Sequence, residues 1–172
     1  MLVFFQGMSM IISDTSPLIA FSAIRRIDLL QKLFVSVLIP PAVFRELVSQ
    51  GKNWREAAEI QEAINDGTWI KAASAPQSHL LPALCERLGA GEAEAIILAL
   101  QCNSPVLLDD LAARKAALGL NLDVVGSLGV LARSKATGAI PAAKPLIEAI
   151  RNAGIYYSAP LIHKFLKELG EI

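Results

Sequence analysis

Six acidic residues stand where an α/β chain could gather them. Asp14 closes the run Ile11-Ile12-Ser13-Asp14-Thr15-Ser16-Pro17, and Glu46 lies in Pro40-Pro41-Ala42-Val43-Phe44-Arg45-Glu46-Leu47. Glu92 and Glu94 share Gly89-Ala90-Gly91-Glu92-Ala93-Glu94-Ala95-Ile96, and Asp109-Asp110 follow Val106-Leu107-Leu108. Carboxylates brought together repel, and one takes up a proton unless a cation is present. Their oxygens are the hard donors that Mg²⁺ prefers. Mg²⁺ or Mn²⁺ would relieve the repulsion, activate a water and hold a phosphate oxygen, which suits phosphodiester hydrolysis. Asp14 and the Asp109/Asp110 pair each follow a short apolar run, and open parallel sheets bind ligands at the carboxyl ends of their strands.

Taken singly, each acid is more often a helix cap or a first-turn charge that complements the dipole. Their combination favours a site. Glu46 is the sixth residue of a helix entered through Pro41, beyond the reach of ordinary N-capping. Glu92 falls in the first turn of its helix, where the macrodipole stabilises an ionised carboxylate. Glu92 and Glu94 project from opposite flanks of an apolar stripe, and adjacent residues at a strand end point to opposite faces. One member of each pair is therefore expected to be structural, and periodicity does not say which. His79 and His163 have no supporting motif, and the chain has no G-x-x-x-x-G-K-[ST], G-x-G-x-x-G or G-x-S-x-G sequence.

The elements that must position these acids follow from hydrophobic pattern. Residues 10–13, 35–39, 68–72, 105–108 and 123–125 read as strands. Helices are expected from Thr15-Ser16-Pro17, with Ser16 as cap and Pro17 at the first helical position, and over 27–33, 41–50, 54–66, 80–88, 92–102, 111–118, 127–137, 142–153 and 159–169. A polar loop covers 73–79. Strands alternating with helices imply a parallel sheet.

The chain of 172 residues is 53% hydrophobic and 19% charged, enough apolar content for one buried core. No run of eighteen apolar residues occurs, so no transmembrane helix is expected. Formal net charge is zero, so attraction to phosphate would have to come from local patches. The best candidate is Arg114, one turn beyond Asp110, with Arg25, Arg26 and Arg45 behind it. Cys85 and Cys102 form no C-x-x-C pair, which speaks against structural zinc and fits a cytoplasmic protein. Leu2-Val3-Phe4-Phe5-Gln6-Gly7 has the look of an expression-tag remnant ahead of a start at Met8 or Met10, so residues 1–9 are set apart and 10–172 are expected to form one domain.

The ordered set Asp14-Thr15-Ser16-Pro17-Leu18-Ile19, Pro41…Glu46-Leu47, Leu88-Gly89-Ala90-Gly91-Glu92-Ala93-Glu94-Ala95-Ile96, Leu108-Asp109-Asp110…Arg114…Ala116 and Gly126-Ser127-Leu128-Gly129 resembles the PIN domain, in particular its prokaryotic DUF3368 branch. The resemblance implies a three-layer α/β/α sandwich around a parallel sheet. It implies an Mg²⁺- or Mn²⁺-dependent endoribonuclease, similar to toxins of the VapC type in toxin–antitoxin pairs, with RNA as substrate and an antitoxin protein as partner. By motif position Asp14, Glu46, Glu92 and Asp110 would be catalytic, Glu94 and Asp109 further metal candidates, Ser16 the hydroxyl that assists Asp14, and Arg114 a contact to RNA. The third acid is Glu here where VapC-type toxins commonly have Asp, and the fourth is doubled.

Two other functions compete. A PIN-like binding or regulatory module could keep these acids as caps. A phosphorylated receiver domain also uses an Asp-Asp pair, but its downstream Lys at a strand end is not evident. The apolar composition, including helix 142–153, leads to the expectation of a homodimer.

Overall fold

The computed structural model describes residues 10–51, 57–74 and 77–172. The leading segment, the start of the fourth helix at 54–56 and part of the loop around Pro76 lie outside the described residues. In chain order the elements are β1 (Met10–Ser13), α1 (Thr15–Ala23), α2 (Asp28–Leu33), β2 (Ser36–Ile39), α3 (Pro41–Gly51), α4 (Ala57–Asp66), β3 (Ile70–Ala72) and α5 (Leu81–Cys85). They continue with α6 (Ala90–Cys102), β4 (Val106–Leu107), α7 (Leu111–Gly119), β5 (Val124–Val125), α8 (Ser127–Ala136), α9 (Lys144–Asn152) and α10 (Ala159–Glu168).

Five parallel strands pair in the order β3-β2-β1-β4-β5. The chain begins in the middle of the sheet and winds outward in both directions. Successive residues of a strand face opposite sides, and the core divides accordingly. Ile11, Val37, Ile39 and Leu107 face one layer, with Leu18 and Phe21 of α1, Leu29 and Leu30 of α2, Val130 and Leu131 of α8, and Ile147 and Ile150 of α9. Ile12, Val106 and Leu108 face the other, with Ala95, Ile96 and Ala99 of α6 and Ala113 and Ala117 of α7. Ile11 and Ile12 are fully buried. Each such side chain stabilises the fold by roughly 1.5–3 kcal/mol, so β1 is anchored from both sides. The result is an α/β/α sandwich.

Two helices depart in detail from the sequence-based expectation. α1 begins at Thr15 with Asp14 as its N-cap, two residues earlier than a Ser16 cap would give. Pro17 is tolerated because the first turn needs no N–H from it. The apolar residues of helix 142–153 are used inward, with Ile147 and Ile150 buried, so this helix offers less uncovered surface than its composition suggests.

Candidate active site

The carboxyl ends of β1 and β4 lie side by side in the middle of the sheet. Ser13 pairs Leu107, and the Asp14 N–H donates to the Leu107 carbonyl at 3.1 Å. Asp14 and the residues after Leu107 therefore share one edge. Asp14 is 4% exposed and caps α1, its Oδ2 accepting from the Ser16 N–H at 3.4 Å.

Glu46 comes to the same place from α3. The closest approach involves Gly91, the second residue of α6. A β-carbon at Gly91 would lie 2.9 Å from Asp14 Oδ1, 3.0 Å from Glu46 Oε1 and 3.1 Å from Glu46 Oε2. Real β-carbons almost never come that near, so the missing side chain leaves the space that both carboxylates occupy. The Thr15 hydroxyl donates to Glu46 Oε2, bridging the start of α1 to α3.

Glu92 and Asp110 complete the group electrostatically. Glu92 Oε2 accepts from the Gly89 N–H at 3.0 Å, one half of a capping box at the start of α6. Asp110 caps α7, its Oδ1 accepting from the Ala113 N–H at 2.8 Å. Burial pushes the Asp14 carboxyl up to about 6, and the charges of Glu92 and Glu46 add to the rise against the backbone N–H groups of Thr15 and Ser16. Glu92 is also raised, first by burial and then by the charges of Asp110 and Glu46, while its bond from Gly89 opposes the shift.

The second member of each acidic pair turns elsewhere. Glu94 Oε2 accepts from the Ala42 N–H at the start of α3 at 2.8 Å, and Oε1 lies 3.6 Å from the Arg45 guanidinium. Asp109 faces α8, where its Oδ1 accepts from the Ser127 N–H at 2.7 Å and its Oδ2 from the Ser127 hydroxyl at 2.5 Å. Burial raises the Asp109 carboxyl, with the Ser127 bonds and the Arg114 charge opposing. Burial and the Asp109 charge together push the Tyr157 phenol up. Glu92 and Asp110 thus lie electrostatically with Asp14 and Glu46, whereas Glu94 bonds to the start of α3 and Asp109 to the start of α8.

Arg114 and Ser16 have local partners. Arg114 Nη1 donates to the Leu108 carbonyl at 2.9 Å, and a β-carbon at Gly126 would lie 2.5 Å from it. Its guanidinium is fitted against the Leu108 and Gly126 backbone beside Asp109. Ser16 is exposed and offers Asp14 its backbone N–H, while the hydroxyl that reaches an acid of the site is that of buried Thr15. Thr15, Gly91 and Ser127 were not singled out as functional from sequence. The adjacency of Thr15 to Asp14 and of Gly91 to Glu92 was the available signal.

Among the described residues, no three His, Cys, Asp or Glu side chains stand close enough together to hold an ion as they are. Local donors account for this. Thr15, Gly89 and Ala113 each hold one carboxylate oxygen, and unscreened like charges keep the groups apart. The donor set still fits a hard divalent cation, being oxygen alone, with Asp14 and Glu46 converging over the cradle at Gly91.

A parallel sheet in this order, layered by helices and carrying acids at the central strand ends, defines an α/β/α sandwich domain. The chain belongs to the DUF3368 family of PIN domains, whose pattern it matches over residues 10–171. PIN domains are generally nucleases. Among solved structures it is similar to a PilT N-terminus domain protein, SSO1118, from the hyperthermophilic archaeon Sulfolobus solfataricus P2. That likeness has 15% identity and a TM-score of 0.49 over 73% of this chain and 92% of the other. No protein of curated function matches the chain. No helix among the described residues is long and apolar enough to cross a membrane.

Proposed function

We propose that this chain is an Mg²⁺- or Mn²⁺-dependent endoribonuclease, the toxin member of a toxin–antitoxin pair. The observation that carries the proposal is the convergence of Asp14 and Glu46 over Gly91, with Asp14 raised to about 6. Asp14, buried at the sheet edge beside the charges of Glu92 and Glu46, is suited to receive a cation. Asp14, Glu46, Glu92 and Asp110 would hold it. When bound, the cation activates a water and steadies a phosphate oxygen. Asp14 supplies a rigid carboxylate, fixed by its place at the end of β1. Thr15 orients Glu46 through its hydroxyl. The start of α6 directs N–H groups toward the same edge, a favourable environment for a phosphate.

RNA is the substrate under this proposal. An antitoxin or a second copy of the chain would cover apolar side chains such as Leu111 and Leu118, both exposed on α7, the helix that Asp110 caps. Cleavage of RNA in Mn²⁺ and Mg²⁺, abolished by EDTA and by Asp14→Asn, is the expected result. Metal-independent cleavage, or equal cleavage by Asp14→Asn, would overturn it. One observation favours a second reading, a catalytically weak PIN-like module. Asp14, Glu92 and Asp110 all act as helix caps, and among the described residues no three acids form a closed ligand set as they stand. That reading expects RNA binding without cleavage under any metal.

A further inference from the structure

The start of α3 lacks a cap of its own. Pro40 holds the N-cap position, its carbonyl accepting from the Phe44 N–H at 3.0 Å, and proline offers no side-chain acceptor. Pro41 at the first helical position has no N–H. The first backbone donor of the helix that needs a partner is therefore Ala42, which is buried. An unpaired N–H there would carry the full desolvation cost of a lost hydrogen bond. The partner comes from another element: Glu94 of α6, whose carboxylate accepts from Ala42 at 2.8 Å.

This bond lies in line with the site. Gly91 and Glu94 are three residues apart on α6, and Ala42 and Glu46 are four apart on α3, so each pair occupies one helix face. Glu94 meets Ala42 one turn away from where Gly91 meets Glu46. The borrowed cap fixes how far along α6 the start of α3 sits. That setting decides whether Glu46 reaches the space above Gly91. Glu46 is a long side chain, and the Thr15 hydroxyl holds its Oε2. Arg45 adds little, because its head is 67% exposed and 3.6 Å from Glu94.

We propose that Glu94 is a positioning residue for Glu46: by capping α3 from α6 at Ala42, it sets the register in which Glu46 enters the acidic site. The consequence for metal rests on the nuclease proposal above, whereas the geometric part does not.

Three variants test it: Glu94→Gln, Glu94→Ala, and Glu94→Ala combined with Pro40→Ser, which gives α3 a cap of its own. The first readout needs no activity. It is the NMR contact between the Gly91 α-protons and the Glu46 side chain, read with the exchange rate of the Ala42 amide. The second is the Mn²⁺ concentration at half-maximal thermal shift. Glu94→Gln keeps an acceptor oxygen and should match the wild type in both. Glu94→Ala should lose the Gly91–Glu46 contact, exchange Ala42 faster and require about tenfold more Mn²⁺, the scale of a supporting residue behind a ligand. The double variant should recover the contact and most of the Mn²⁺ response. If Glu94→Ala fails to fold, Glu94→Asp, one methylene too short to reach Ala42, takes its place. Fast Ala42 exchange with the Gly91–Glu46 contact intact would reduce Glu94 to a stabilising cap and overturn the proposal. A Glu94→Gln variant as impaired in Mn²⁺ as Glu94→Ala would overturn it in favour of a ligand. If the wild type shows no Mn²⁺ response, the nuclease proposal fails, and the contact and its rescue still decide the positioning role.

Discussion

The start of α6 and the end of β4 each carry two acids, and each divides them between site and scaffold by a different geometry. On α6, residues two apart are about 200° apart around the helix, so Glu92 faces the carboxylate group and Glu94 faces α3. After β4, the alternation of the strand carries Leu107 and Asp109 to one layer and Leu108 to the other, and Asp110 then leaves the strand to cap α7. The scaffold partners differ too. Glu94 is held by one backbone N–H, that of buried Ala42. Asp109 is clamped by both donors of Ser127. The doubled acids are thus two different fastenings, one for α3 and one for α8, each beside a residue of the site.

The sharpest way to break this division is to neutralise the site members. Asp14→Asn and Asp110→Asn should each lower RNA cleavage in saturating Mn²⁺ by on the order of 100-fold or more, the scale of losing one group from a preorganised charged site. Asn caps a helix about as well as Asp, so both variants should keep wild-type circular dichroism. A gel assay in which they match the wild type would erase the distinction.

The next largest effect concerns pH. The Asp14 carboxyl is raised from 3.8 to about 6 in the fold. The folded state therefore binds the proton more tightly than the unfolded state. The associated stability is fully present below about pH 4 and is lost as pH rises to about 6. By linkage the loss is roughly 3 kcal/mol. Urea titrations in EDTA should show it, Asp14→Asn should flatten the profile, and Mn²⁺ at pH 7 should restore stability to the wild type alone. A wild-type profile that rises between pH 4 and 6 and is unchanged by Asp14→Asn would contradict the crowded site.

On the scaffold side, Asp109→Ala leaves the Ser127 N–H and hydroxyl without their acceptor and Arg114 without its neighbouring charge. A loss of about 2–3 kcal/mol is expected, measured by urea unfolding. A stable Asp109→Ala that cleaves no RNA would move Asp109 into the site. The smallest effect should come from Gly91→Ala. The new methyl displaces Glu46, whose side chain can swing, more than Asp14. Stability should fall by about 1 kcal/mol or less, while the Mn²⁺ requirement rises about tenfold. Isothermal titration with Mn²⁺ checks this.

Much of the fold was legible because its signals are local. Short β-branched runs ending at polar residues gave the five strands, and Pro41, Gly89 and Gly138 marked helix borders near where they occur. The cap of α1 lies two residues before the expected one because Ser16 and Asp14 are both good caps, and proline fits the first turn in either register. Within the acidic pairs, periodicity showed that members diverge. Choosing between them needed to know which layer carries α8 and where α3 lies. Arg114 illustrates the same limit: its position one turn beyond Asp110 is a fact of sequence, but the Leu108 carbonyl it binds is set by the approach of Gly126 from β5.

The winding of the sheet outward from β1 also dictates when the site can exist during synthesis. Ile12 pairs early with Leu38 of β2, but its other partner is Val106 of β4. Asp14 and Glu46 come from the first half of the chain, Glu92 and Asp110 from later segments, and contacts so distant in sequence form slowly. A nascent chain emerging beside its own messenger therefore carries only half of the acidic group until β4 docks. Under the nuclease proposal, activity begins only after residue 110 of the 172 has been made and β4 has docked, so the topology itself acts as a delay between translation and cleavage.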